Sequence, residues 1–162
     1  MDYLWTPWRY AYVSSVRQTT GCLFCDAWKE PDDRKVLILH RGEHCFVMLN
    51  AFPYTSGHVM VAPVAHVARL QAVEPAAAQE IMTMLQRLEG AIRLAYKPDG
   101  LNVGMNIGSA AGAGVADHVH VHMLPRWGAD TNFMTTTAET RVLPEALPTT
   151  WERLRKAWQE TK

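Results

Sequence analysis

The sequence predicts an α+β domain with a mainly antiparallel sheet of about five strands, one long helix and a C-terminal helix. Short apolar runs closed by Gly, Pro or Asn turns lie on both sides of one long amphipathic stretch. The order strands, helix, strands is that of an α+β fold rather than of alternating βαβ units. The length, 162 residues, and a hydrophobic fraction of 48% suit one domain with a real core.

The elements follow in order. Residues 1–35 read as an irregular N-terminal segment carrying a C-x-x-C, with a candidate helix around residues 10–17. Strands are expected at 36–40, 45–49 and 58–62, ended by Arg41-Gly42, by Asn50 with the Pro53 turn, and by Pro63. The first two sit close enough for a hairpin. Glu74-Pro75 starts the long helix, with Pro in its first turn. Ile81, Leu85, Leu88, Ile92 and Ala95 then recur at helical spacing as one apolar stripe, which Pro98-Asp99-Gly100 stops. Met82 and Met84 flank that stripe. Two further strands are expected at 101–106 and 118–124, separated by a loop of small residues over 108–117. A C-terminal extension, 131–162, holds a candidate strand at 139–143 and a helix with Trp151, Leu154 and Trp158.

Sixteen basic and sixteen acidic residues cancel, and no basic run marks a nucleic-acid or anionic-membrane binder. A polyanionic ligand must then be held by a local site. The first ten residues lack the apolar core of a signal peptide, and the longest mostly apolar stretch, 59–70, is broken by Pro63, His66 and Arg69. A cytoplasmic protein without membrane or nucleic-acid partners is expected. Three cysteines are a poor basis for a disulfide framework. Cys45 reads as a small buried residue.

The chemistry concentrates in His118-Val119-His120-Val121-His122. In a strand, alternate residues share a face, so three imidazoles project together while the valines turn to the core. A solvated polar face is the bland reading, and imidazole is an uncommon choice for one. A three-histidine metal site ranks lower, because in-line histidines on one strand do not converge easily on one ion. Phosphoryl chemistry fits best. Neutral imidazole is a nucleophile near neutral pH, its reference pKa being ~6.5. Its attack on an α-phosphorus splits one hard displacement into two easier ones. A second imidazole can orient the first or protonate the leaving oxygen. The small-residue loop lets backbone N–H groups approach phosphate oxygens.

The run His118-Val119-His120-Val121-His122-Met123-Leu124 resembles the signature of the histidine triad (HIT) superfamily. Asn106-Ile107-Gly108 before the loop resembles the fragile-histidine-triad and bacterial diadenosine tetraphosphate phosphorylase branch. So do Pro125-Arg126-Trp127-Gly128-Ala129-Asp130-Thr131-Asn132-Phe133, Leu4-Trp5-x-Pro7-Trp8-Arg9, and Gly57-His58 with Pro63. The resemblance covers nearly the whole chain, 1–162, as a single HIT domain. It implies that dinucleoside polyphosphates are cleaved through a covalent histidine–nucleoside monophosphate. His120 would be the nucleophile, and His122 would contact the α-phosphate and bridging oxygen. Asn50 would bind ribose hydroxyls, Asn106 the phosphate side, and His58 would support the triad from behind. Where the family usually has Gln followed by Ser or Thr, this chain has Ala113-Gly114. Backbone amides around Gly112 and Gly114 must then serve as the phosphate contacts. The acceptor, water or phosphate, stays open.

Cys22-Leu23-Phe24-Cys25 has zinc-knuckle spacing but no second pair, and by itself reads equally as a redox motif or as packed cysteines. The resemblance implies a structural zinc held by Cys22, Cys25, His66 and His118, which would make His118 a ligand rather than an acid or base. It also implies a homodimer in which the sheet continues across the long helix and a strand. His40 and His44 read as solvated turn residues. Trp5, Trp8 and Trp28 have rings able to stack on a base, but packing or subunit contacts rank higher for most of them, and Trp127 reads as a cover for the site. The competing readings are a nucleoside phosphoramidase of the other HIT branch and a non-catalytic nucleotide sensor.

Overall fold

The computed structural model describes residues 21–128, 130 and 145–161. Five strands, β1 (Ile38–Arg41), β2 (Cys45–Leu49), β3 (Val59–Pro63), β4 (Gly100–Gly104) and β5 (Val121–Arg126), form one sheet in the order β1-β2-β3-β5-β4, antiparallel at every pair. Among the described residues three α-helices accompany it: α1 (Leu23–Lys29), α2 (Pro75–Tyr96) and α3 (Leu147–Glu160).

Strict alternation along β2 and β3 divides the interior into two layers. Cys45, Val47, Leu49, Val59 and Val61 face α2 and α3, joined there by Val121 and Met123 of β5. Phe46, Met48, Met60 and Ala62 face the other way, against Phe24 and Ala27 of α1. His122 pairs with Met60 across β3 and β5 and belongs to this second face. The sheet therefore keeps an aliphatic core on one side and presents the histidines on the other.

Helix α2 starts at Pro75, where a missing N–H costs nothing, and ends at Lys97 in the left-handed conformation before Pro98. Ile81, Leu85, Leu88 and Ile92 of the stripe are buried, and Ala95 is half-buried against the same core. Met84 joins the core, whereas Met82 is exposed. Cys45 is fully buried with its thiol donating to the Ala77 carbonyl, and burial pushes that thiol up to about 12.

Several elements differ from expectation. The segment 1–35 contains α1, a helix of two turns whose apolar face is only Phe24 and Ala27, too short to show a period. The first strand begins at Ile38, because Leu37 takes a positive φ and the register shifts between Ile38 and His40. The fourth strand is confined to Gly100–Gly104. The ladder of β5 starts at Val121; His118 and His120 lie just before it, where the Val119 amide donates to the Val67 carbonyl (2.7 Å). His40 is a half-buried residue of β1 stacked against Trp158, with ring centroids 4.9 Å apart, not a solvated turn residue. Helix α3 also closes the β1 edge. The Trp151 indole N–H donates to the Ile38 carbonyl (2.9 Å) and Arg155 donates to the Leu39 carbonyl. The candidate helix at 10–17, the candidate strand at 139–143, Trp5 and Trp8 lie outside the described residues.

Leu88 is 1% exposed at the centre of the α2–sheet layer. Leu88→Ala is expected to cost about 2–5 kcal/mol of unfolding free energy in urea titrations. A loss under about 1 kcal/mol would contradict the packing described for this layer.

Candidate active site and metal centre

The histidine face is organised by hydrogen bonds that assign a tautomer to each ring. The Tyr54 amide donates to His58 Nδ1 (3.1 Å), so that nitrogen is unprotonated. The proton of neutral His58 is then on Nε2, which lies 2.9 Å from His122 Nδ1 and donates to it. His122 consequently carries its own proton on Nε2. His120 Nδ1 donates to the His118 carbonyl (2.8 Å), leaving Nε2 of His120 as a lone pair. His118 Nε2 donates to the Pro63 carbonyl (2.8 Å), leaving its Nδ1 lone pair free for another partner. One ring thus presents an acceptor and its neighbour a donor. Their centroids are 4.7 Å apart in an edge-on arrangement.

Burial keeps these rings neutral. His58 is 1% exposed and is pushed down to about 3, first by desolvation and then by His122 and His120. Desolvation, then His120, takes His122 down to about 4. His120 is also lowered by desolvation, partly offset by its bond to the His118 carbonyl. The chain reaches this arrangement through Gly57. Its φ is +81°, and an added Cβ there would lie 3.0 Å from the Tyr96 ring and 3.2 Å from Pro125. Only glycine lets the turn deliver His58 under the sheet.

The second cluster adjoins the first. One ligand atom from each of Cys22, Cys25, His66 and His118 lies within 4.8 Å of every other. Cys22 Sγ and Cys25 Sγ stand 3.3 and 3.7 Å from His118 Nδ1, and Cys25 Sγ stands 3.4 Å from His66 Nδ1. A tetrahedron with zinc–ligand bonds of 2.0–2.3 Å has edges of about 3.6 Å, so these separations fit a zinc ion. The donor set fits as well. The Pro63 carbonyl fixes the His118 tautomer with Nδ1 toward the sulfurs, the usual outer-shell arrangement for a ligating histidine. Burial and then the Cys22 sulfur push the Cys25 thiol upward, an effect that a bound cation reverses.

The other expected site residues are placed differently. Asn50 Oδ1 accepts the Phe52 amide (2.9 Å), and the Asn50 backbone N–H donates to the His58 carbonyl (3.0 Å), so it is fixed beside His58. His58, expected to support the triad from behind, is buried behind His122 and joined to it through Nε2. Asn106 is half-buried and follows β4. Gly112 has φ +85° and is exposed, but its amide donates to the Ser109 carbonyl (3.0 Å). The Ala111 and Ala113 amides likewise donate to the Gly108 carbonyl. These amides therefore stabilise the turn itself, contrary to the expectation that Gly112 offers its N–H to phosphate. Gly114 is half-buried just beyond that turn. Trp127 makes its ring contact with Tyr96 (6.3 Å), at the end of α2, and not with the histidines. Trp28 packs on Phe46 beneath the Arg41 guanidinium, as a packing residue. Three features were not foreseen: the Tyr54 amide, the Pro63 carbonyl and the Phe24 ring. The first two are backbone groups and leave no residue-type signal. Phe24 sits inside the C-x-x-C.

Residues 32–128 match the HIT domain, and the chain belongs to the HIT family. A Mycobacterium tuberculosis protein named AP-4-A phosphorylase is 33% identical over 96% of this chain and 83% of its own length. A Schizosaccharomyces pombe bis(5'-nucleosyl)-tetraphosphatase is 31% identical over 57% of this chain and 50% of its own. Among solved structures, a zinc-bound histidine triad family protein from Mycobacterium smegmatis superposes with a TM-score of 0.69. It is 27% identical, over 86% of this chain and 94% of that one.

The neutral, buried His58 has a stability consequence. Its folded pKa lies below the unfolded value, so protons favour the unfolded chain below about pH 6.5. Between pH 6 and 4, stability is expected to fall by up to about 1.4 kcal/mol per pH unit from this group alone. His58→Gln should flatten that dependence in urea titrations across the range. An unchanged slope would mean that His58 does not resist protonation.

Proposed function

We propose that this chain cleaves dinucleoside polyphosphates, of which diadenosine tetraphosphate is the model, through a covalent intermediate on His120. The coarse activity, a HIT-family enzyme that processes dinucleoside polyphosphates, is supported by the relatives that the chain resembles. The observation that carries the finer reading is the tautomer pair: an unprotonated Nε2 on His120 beside a protonated Nε2 on His122. The lone pair of His120 Nε2 attacks the α-phosphorus. The bond from that phosphorus to the bridging oxygen breaks, and His122 Nε2 is placed to give its proton to the leaving polyphosphate. The Tyr54 amide and His58 hold His122 in the donating tautomer. Asn50, fixed beside His58, is suited to the ribose hydroxyls, with Asn106 and the backbone near Gly114 on the phosphate side.

In the second half, an acceptor oxygen displaces His120 from phosphorus. The near full-length similarity to a protein named a phosphorylase favours inorganic phosphate as that acceptor. The Cys22, Cys25, His66 and His118 cluster would hold a structural zinc, tying α1 to the sheet. The exposed edge strand β4, where Val103 is 53% exposed, would continue the sheet into a second copy of the chain. No helix among the described residues is long and apolar enough to cross a membrane.

Incubation with diadenosine tetraphosphate tests the activity. ADP plus ATP, formed only when phosphate is present, is the expected result; AMP plus ATP without phosphate would assign water as the acceptor. His120→Ala should lower turnover by at least about a thousandfold while nucleotide still binds. Turnover that survives His120→Ala would remove the covalent step. Cys22→Ser is expected to reduce the zinc content measured by mass spectrometry from about one ion per chain toward zero, since a structural site needs all four ligands. Unchanged content would exclude this cluster as the site.

A further inference from the structure

Resting on the reading of His120 as nucleophile, we propose that Phe24 is a positioning residue for that step, holding the His120 ring so that Nε2 points at phosphorus. The hydrogen bond from Nδ1 to the His118 carbonyl is the ring's one hydrogen bond to the protein described above. A single bond fixes one nitrogen but leaves the ring free to swing about the N–H···O axis. A second restraint against the ring face is needed to aim the opposite nitrogen. Phe24 supplies it: its ring centroid is 4.7 Å from that of His120, with the planes inclined at 39°. The same ring lies 5.0 Å from His118, the residue whose carbonyl anchors His120. Phe24 is 1% exposed, so neither water nor rotamer freedom relaxes this contact. Edge-on contact with His122 closes the remaining side.

Phe24 can do this because of where it sits. It lies between Cys22, which caps α1, and Cys25 in the first turn, and it turns inward while Leu23 is 52% exposed. The helix that carries the two sulfurs therefore also forms a wall of the reaction site. That gives α1 a part in turnover separate from its cysteines.

Phe24→Leu keeps an apolar side chain but removes the flat face. Phe24→Met does so with an adaptable chain, should the leucine variant fold poorly. Phe46→Leu is the matched control. Phe46 belongs to the same buried cluster and touches Phe24 (6.3 Å), and no ring contact joins it to a histidine among the described residues. All are assayed with diadenosine tetraphosphate and phosphate, alongside zinc content and thermal midpoint, with His120→Ala as reference. The expected result for either Phe24 variant is a kcat roughly tenfold lower with KM within about twofold, at unchanged zinc content. Phe46→Leu should keep kcat within about twofold whatever its midpoint. Long-range proton–nitrogen spectra should show His120 as one Nδ1–H tautomer in the wild type and in Phe46→Leu, and as a mixture in the Phe24 variants. A kcat for the Phe24 variants no lower than for Phe46→Leu, or a loss confined to KM, overturns the proposal. If His120→Ala itself retains turnover, the nucleophile reading fails first and the proposal falls with it.

Discussion

Four imidazoles share one face of this sheet, three of them buried, and a buried imidazole must place its single N–H on a defined acceptor. That requirement organises the region. The acceptors are the Pro63 carbonyl for His118, the His118 carbonyl for His120 and Nδ1 of His122 for His58. They lie at the end of β3, on the segment leading into β5 and, for His58, within β5 itself, so the way these two stretches meet decides which nitrogen of each ring is protonated. The turn before β3 matters for the same reason, since Gly57 and the Tyr54 amide set how His58 enters. A slip of one residue in β5 would move His122 into the aliphatic layer and Val121 and Met123 out of it.

Much of this frame was legible because it is written in periodicity. The four-three recurrence of Ile81, Leu85, Leu88 and Ile92 is a packing requirement of α2, and the structure buries all four. The alternation through His118 and His122 similarly predicted a shared face, which the ring contacts of His118 and His120 with Phe24, and of His120 with His122, reproduce. The Cys22, Cys25, His66 and His118 grouping came from family resemblance rather than from spacing. Its four atoms do converge.

What escaped the sequence was set by backbone groups and by tertiary packing. No residue type announces that the Tyr54 amide will meet a histidine nitrogen, or that Leu37 will take a positive φ and displace the start of β1. His40 looked like a turn residue because Arg41-Gly42 follows it. Trp158, distant in sequence, buries one of its faces. The small-residue loop was read as a cradle of free amides, yet those of Ala111, Gly112 and Ala113 are used by its own turn. Glycine permits both outcomes, and only the local hydrogen bonds choose between them.

His118 shows why the two clusters on this face are one unit. Its ring points Nδ1 toward the sulfurs of Cys22 and Cys25, while its carbonyl receives the Nδ1–H of His120. Ring and carbonyl belong to one residue, so rotating the peptide to suit one partner moves the other. The Pro63 carbonyl resists that rotation by holding Nε2 of the ring, and the Val67 carbonyl does so by holding the next amide, that of Val119. The carbonyl that ends β3 and one from the chain just after it thus clamp a short stretch that lies outside the sheet ladder. Clamping is needed because the ladder begins only at Val121, so the position of His120 depends on these few bonds rather than on the sheet itself.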